Sequence, residues 1–333
     1  MDRRAFLQLM GLAMAARVGF SAESDEMIQT VNGPVSSTAL GLTLSHEHVL
    51  VDFVGAELVG PHRYAIEDVL SAVRPHVERA YRLGVRAIFE CTPAFLARDV
   101  RLLRRLSTET GVHFVTNTGL YGVRNNLFLP PYAHTETARQ LADRWIQEAR
   151  LGIDGSDIRP GFIKSGVDVT PVLSPQHRKL VEAAALTHLE TGLTIAVHTG
   201  RGPGLEALDI LKTVEVRPTA FVWVHAQNAL DDALFAAADR GAWLSFDGIN
   251  TPTLTRHLHL CREMKRRGHL RQVLISHDAG WFDPAKPGGG SFRPYDLLFS
   301  AFLPMLRADD FSEDEIRLLL VNNPARAFAV RSR

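Results

Sequence analysis

The sequence predicts an α/β fold closed as a (β/α)8 TIM-type barrel, on three observations. Past residue 40, eight short apolar runs alternate with longer helical patterns. The runs end in polar or glycine-rich turns, and no long Ser/Pro linker divides the region. Such alternation marks parallel strands joined by crossover helices. Eight units within about 290 residues suit a closed barrel better than an open doubly wound sheet.

The elements follow in order. Strand one, 42–50, is apolar at Leu42, Leu44, Val49 and Leu50 but carries Ser45-His46-Glu47-His48 inside it. Helical spacing at 66–83 leads to strand two, 87–91, and a second helical stretch at 100–110 leads to strand three, 112–118. A loop at 125–132 holding Pro130 and Pro131 comes next, then a helical pattern at 135–151. Strand four, 161–163, runs into Lys164; a helix at 175–191 precedes strand five, 193–197, which runs into His198. Strand six, 220–224, ends at His225, and a helix at 229–240 precedes strand seven, 242–246. Strand eight, 273–275, is followed by Ser276-His277-Asp278 and then by a loop at 281–294 with Pro284, Pro287 and three consecutive glycines. Both long loops follow strand C-termini, the face on which barrels carry their active sites. The repeat sets one domain, 35–330.

Composition narrows the function. The 333 residues carry 37 basic and 37 acidic side chains and are 46% hydrophobic. Zero formal charge without a basic block argues against nucleic acid or an anionic membrane as the main partner. Cys91 and Cys261 are too few for a disulfide framework or a thiolate metal cluster. Fourteen histidines are the first sign of chemistry. The chain opens with Arg3-Arg4-Ala-Phe6-Leu7, an apolar run and small residues, which reads as a signal over 1–22 of twin-arginine type. That address implies export to the periplasm, and the run is too short to span a bilayer.

The ionisable residues fall at strand ends. Alternation along a strand puts His46 and His48 on one side and Glu47 on the other. Lys164, His198, His225 and Asp278 end strands four, five, six and eight, so six candidate ligands at five strand ends aim at one mouth. Imidazoles and a carboxylate suit zinc. A lone strand-end histidine is more often a packed rim residue, but four histidines and an aspartate on one barrel face are not a coincidence of packing. Lys164 among other cations is costly as a buried ammonium. A neutral amine can add carbon dioxide to become a carbamate, an anion able to bridge two metals; pairing with Asp168 is the plainer alternative.

These residues resemble the phosphotriesterase family of the amidohydrolase superfamily. The stretches Gly41-Leu-Thr-Leu-Ser-His46-Glu-His48, Ala97-Arg-Asp-Val100, Thr118-Gly-Leu-Tyr121, Gly161-Phe-Ile-Lys164, His198-Thr199, His225, His277-Asp278 and Asn323-Pro-Ala-Arg326 occur in order across 40–330. The resemblance implies two divalent metals, most often Zn(II). It places His46, His48 and Asp278 on the buried metal, His198 and His225 on the exposed one, and N-carboxylated Lys164 bridging them with a hydroxide. Asp278 then takes the proton as the hydroxide attacks.

Departures from the family bear on the substrate. No histidine follows the strand-seven aspartate in Ser245-Phe246-Asp247-Gly248, where the organophosphate branch has one, and Gly248 stands where the lactonase branch tends to place an arginine. Asn228 holds the position at which an acidic partner for the strand-six histidine is expected. Tyr121 is similar to the aromatic that lactonases place near the metals.

Candidate substrate contacts are Tyr121, Trp281 with Phe282, and Arg201 of the Gly200-Arg-Gly-Pro-Gly204 turn; Trp223 and His277 face outward, and His257, His259 and His269 read as surface residues. The expectation is an exported binuclear hydrolase of an ester-type bond, a lactone or carboxylic ester, with phosphotriesters as a side activity. An amide hydrolase or deaminase, and a ligand-binding barrel without catalysis, are the alternatives. The expected partner is a small molecule, with a homodimer as the candidate assembly.

Overall fold

The computed structural model describes residues 26–330; the signal read in 1–22 lies outside them. Eleven strands are present among the described residues. A hairpin of β1 (Met27–Thr30) and β2 (Gly33–Ser36) precedes the barrel. The staves follow as β3 (Leu42–Glu47), β4 (Val85–Glu90), β5 (His113–Val115) with β6 (Asn117–Thr118), β7 (Phe162–Gly166), β8 (Thr194–His198), β9 (Phe221–Val224), β10 (Trp243–Phe246) and β11 (Val273–Ile275). Strands β3-β4-β5 and β6 through β11 pair in parallel, in chain order.

β5 and β6 are the two ends of the third stave, interrupted at Thr116, whose carbonyl accepts from Gly161 N at 2.8 Å. The ring closes where the chain after β11 meets β3. Asp278 N donates to His46 O at 3.1 Å, and His48 N to Ala279 O at 2.9 Å. The eight staves predicted from the apolar runs are therefore those observed, joined mainly by helices such as Ile66–Arg82, Val100–Thr110, Ala138–Leu151, Pro175–Thr191 and Asp231–Asp239.

Packing decides which end of the barrel is open. Ala87, Phe89, Phe162, Ala196, Val222, Trp243 and Leu274 point inward and fill the lower interior. Ile28 of the hairpin and Phe328 of the last helix (Asn323–Phe328) join the same cluster and plug the floor. Phe89 lies 4.2 Å from the Phe328 ring and 5.7 Å from Phe162, centroid to centroid. Burying such rings removes water from that end, and the candidate ligands lie at the other, at the strand C-termini. The helices cover the outside through a second layer that includes Leu180, Val197, Leu208 and Trp223.

Candidate metal centre

Strand alternation alone does not bring the ligands together. Leu44 packs outward beneath the first helices, and strict alternation would send His46 the same way. The β3–β4 register shifts between Leu44 and Glu47, and this irregularity re-aims the chain so that His46 and His48 face the cavity. His225 has the parity of Trp223, which points outward and donates its indole N–H to Gly200 O at 3.1 Å. A left-handed backbone at His225, φ 61°, turns its ring inward instead. Asp278 takes the same conformation, φ 53°. Non-glycine residues adopt it at a cost, and such outliers gather at functional sites.

One cavity is lined by His46, His48, Lys164, His198, His225 and Asp278, so all six sequence candidates meet. The ligand atoms of His46, His48 and Asp278 lie within 4.8 Å of one another. Asp278 Oδ1 stands 3.1 Å from His48 Nε2 and 3.6 Å from His46 Nε2. The His198 and His225 rings are 4.4 Å apart, and His225 is 5.1 Å from His46. Tyr121 and Trp281 also line this cavity. Phe282 does not: its side chain is buried against Gly289 in the outer layer, and its backbone bonds to Val49 and Val51. Arg201 lies on an adjoining cavity.

Each imidazole is held through Nδ1. His46 Nδ1 lies 3.1 Å from Asp247 Oδ2, and His225 Nδ1 lies 2.6 Å from Asp247 Oδ1. His48 Nδ1 is 2.8 Å from Thr92 Oγ1, and His198 Nδ1 is 3.0 Å from Tyr121 Oη. With Nδ1 engaged, every ring turns Nε2 to the cavity; fixing tautomer and orientation from behind is how metal-binding histidines are supported. His46 Nε2 is buried without a hydrogen-bond partner. A buried orphan lone pair beside a carboxylate and a second imidazole suits a divalent cation.

Electrostatics favour a neutral ring at three of the four imidazoles, His46, His48 and His198. Burial drives His48 and His198 well below the ordinary imidazole range, so both are neutral donors. Burial brings His46 down to about 4, with Asp247 opposing. At His225 burial pulls down, but Asp247 outweighs it and the net direction is upward. Asp247 itself would be raised by burial, yet His225 and His46 hold it well below the carboxylate range. Burial raises the Asp278 carboxyl above its ordinary value.

Lys164 is 2% exposed and forms no salt bridge among the described residues; its Nζ donates one long bond, 3.4 Å, to Cys91 O. Asp168 instead accepts from the backbone N–H groups of Arg124 and Asn125 at 2.7 and 3.1 Å, which removes the plainer alternative for Lys164.

Two supporting groups escaped sequence reasoning. Asp247, not the exposed Asn228, is the acidic partner of His225, and it braces His46 as well. Its signal was parity: Trp243, Ser245 and Asp247 share a face, and Trp243 packs inside the barrel. Glu47 points away from the ligands as expected, but it is a clasp. Its carboxylate accepts from Ser276 Oγ (2.8 Å), His277 N (3.0 Å), His277 Nδ1 (2.6 Å) and Ala279 N (2.8 Å), enclosing Asp278 from both sides. Burial would raise Glu47, but these partners keep it below its usual value. His277 Nε2 accepts from Leu298 N at 2.9 Å, so the ring faces outward, as expected. His257 is a correction: it is buried, with Nδ1 2.9 Å from Thr253 O, because its helix (Leu254–Arg266) packs that face on the core. Among the described residues no helix is long and apolar enough to cross a membrane.

Several known proteins are similar to this chain. The chain is 29% identical to the phosphotriesterase homology protein of Escherichia coli, over 86% of this chain and 98% of that protein. It is 28% identical to the aryldialkylphosphatase of Saccharolobus solfataricus, over 89% and 97%, and 26% identical to the N-acetyltaurine hydrolase of Tetraodon nigroviridis, over 89% and 96%. The organophosphorus hydrolase of Deinococcus radiodurans superimposes with a TM-score of 0.81 at 25% identity, covering 92% of this chain and 98% of that one. The family model described as the phosphotriesterase family matches residues 26–328, and the chain belongs to that family.

Proposed function

We propose that the protein is a binuclear metal-dependent hydrolase acting on an ester-type bond, a lactone or carboxylic ester. The observation that carries this is the convergence of four Nδ1-braced imidazoles, Asp278 and an unpaired buried lysine on one cavity. His46, His48 and Asp278 would hold one ion, His198 and His225 the other, and Lys164 as its carbamate would join them. Two divalent ions, Zn(II) by the chemistry of the donor set, supply Lewis acidity and lower the pKa of a shared water.

The chain's own residues do the rest. Asp278 Oδ takes the proton of the attacking water as its oxygen bonds to the acyl carbon, and returns it to the leaving oxygen as the acyl C–O bond breaks. Tyr121 and Trp281 wall the reacting group, Trp281 standing 5.3 Å from the His48 ring. Asp247 keeps His46 and His225 in the tautomer with a free Nε2.

Amide hydrolysis is the second reading, favoured by the similarity to N-acetyltaurine hydrolases; the amine nitrogen then leaves in place of oxygen. Chelator treatment followed by zinc return tests the proposal with a panel of lactones, aryl esters, N-acyl amines and a phosphotriester. Loss and recovery of acyl hydrolysis is the expected result; chelator-insensitive hydrolysis would overturn it. We also propose periplasmic export. Replacing Arg3 and Arg4 by lysine should strand the precursor in the cytoplasm, and unimpaired export would refute that address.

A further inference from the structure

We infer that Asp168 is a positioning residue of the centre: it clamps the loop after the third stave in a left-handed turn and thereby sets Tyr121 behind His198. The inference rests on the hydrolase reading above and adds a residue to its machinery. Each oxygen of Asp168 takes one backbone N–H, Oδ1 from Arg124 at 2.7 Å and Oδ2 from Asn125 at 3.1 Å. Arg124, Asn125 and Asn126 stand consecutively in the left-handed region, with φ of 57°, 55° and 65°. That region is costly for residues bearing a Cβ; asparagine tolerates it, and arginine lacks that tolerance. A run of three persists only where the surroundings hold it. Two charge-assisted bonds to consecutive N–H groups supply that hold.

The clamp completes a set of fastenings between the third and fourth staves. Tyr121 bridges in parallel to Gly166, and Gly122 N donates to Gly166 O at 2.9 Å. From the following helix, His177 Nε2 donates to Gly122 O at 3.0 Å. The Tyr121 ring lies on Gly166, where an added Cβ would come within 2.3 Å of its Cδ2 and Cε2. The ring thus has its seat two residues past Lys164, and its hydroxyl reaches His198 Nδ1 at 3.0 Å. The same loop secures the neighbouring wall. The Arg124 guanidinium lies 4.8 Å from the centroid of Phe53, which lines the ligand cavity, and Phe128 stands 6.0 Å from both Phe53 and Tyr121. Val169, next to Asp168, lines the adjoining cavity of about 760 Å³ beside His198 and His225. The clamp therefore stands at the edge of the space that a substrate enters.

The test compares the zinc-loaded native protein with Asp168→Ala and Asp168→Asn. In Asp168→Ala, hydrogen exchange at 122–126 should quicken about tenfold or more, while exchange within Pro175–Thr191 stays native. Nitration of Tyr121 by tetranitromethane, read by mass spectrometry, should rise about threefold or more as the ring leaves its seat. Asp168→Asn keeps one acceptor oxygen and should fall between; it carries the comparison if the alanine variant fails to fold. Turnover of the preferred acyl substrate should drop about fivefold through kcat, with KM little changed. Added to Tyr121→Phe, Asp168→Ala should cost less than about twofold more, because the hydroxyl it positions is already gone. Unchanged exchange at 122–126, unchanged nitration, or losses from the two variants that multiply in full would each overturn the clamp. No turnover of any acyl compound by the native protein would refute the hydrolase reading, while quickened exchange with increased nitration would still uphold the clamp.

Discussion

The two sides of the centre are built differently. On the inner side, His46, His48 and Asp278 are backed by carboxylates: Asp247 behind His46, Glu90 through Thr92 behind His48, and Glu47 clasping the chain around Asp278. Glu90 is fully enclosed, and burial pushes it up to about 7 against the bonds it accepts from Thr92 and Val49. On the outer side, His198 has a tyrosine hydroxyl behind it, and His225 shares Asp247 with the inner side. The outer side opens on the large cavity, whereas the inner side opens on the floor-plugged barrel. Dense buried hydrogen bonding fixes geometry that chemistry needs; the sparser side is where a substrate can be accommodated. The inner side is thus the more densely braced, and the outer side the more open.

Variants can break this contrast or sharpen it. Lys164→Ala removes the group proposed to join the sides, and we expect turnover to fall at least about a hundredfold. Partial rescue by added short carboxylic acids would identify the carbamate, and full turnover without them would refute it. Asp247→Asn loosens one histidine on each side; metal affinity should fall about 10–100-fold at both ions, read by competition with a chromogenic chelator. Glu47→Gln acts on the inner side alone. Losing the charge that gathers four donors should cost about 1–3 kcal/mol in unfolding free energy and release the inner metal preferentially. Tyr121→Phe keeps the ring and removes only the hydroxyl behind His198, so a few-fold loss of turnover with unchanged thermal stability is expected. If Glu47→Gln and Tyr121→Phe released the same ion, the two-sided account would fail.

The legibility of this molecule follows the same division. Regular staves were readable because apolar runs and helical spacing repeat with the fold: 100–110, 175–191 and 273–275 match the observed elements residue for residue. The ligands were readable because they occupy strand ends. Their orientations were not, since the shift at Leu44/Glu47 and the left-handed turn at His225 are backbone events that alternation cannot foresee. Asp247 was seen in the sequence as a strand-seven aspartate, but its partners lie on staves one and six, 201 and 22 residues away by numbering. The hairpin of β1 and β2 was missed because four-residue strands carry too little periodicity to register. His257 was misread because a polar residue on an amphipathic helix is usually exposed, while here its ring satisfies Thr253 O inside the core.

We propose that one cavity holds two ions joined by Lys164. Elemental mass spectrometry on protein purified without chelator tests it most directly, with Lys164→Ala measured alongside. The account predicts about two divalent ions per chain, chiefly zinc, in the native protein and fewer in the variant. One ion or none in the native protein, or an equal content in both, would contradict it.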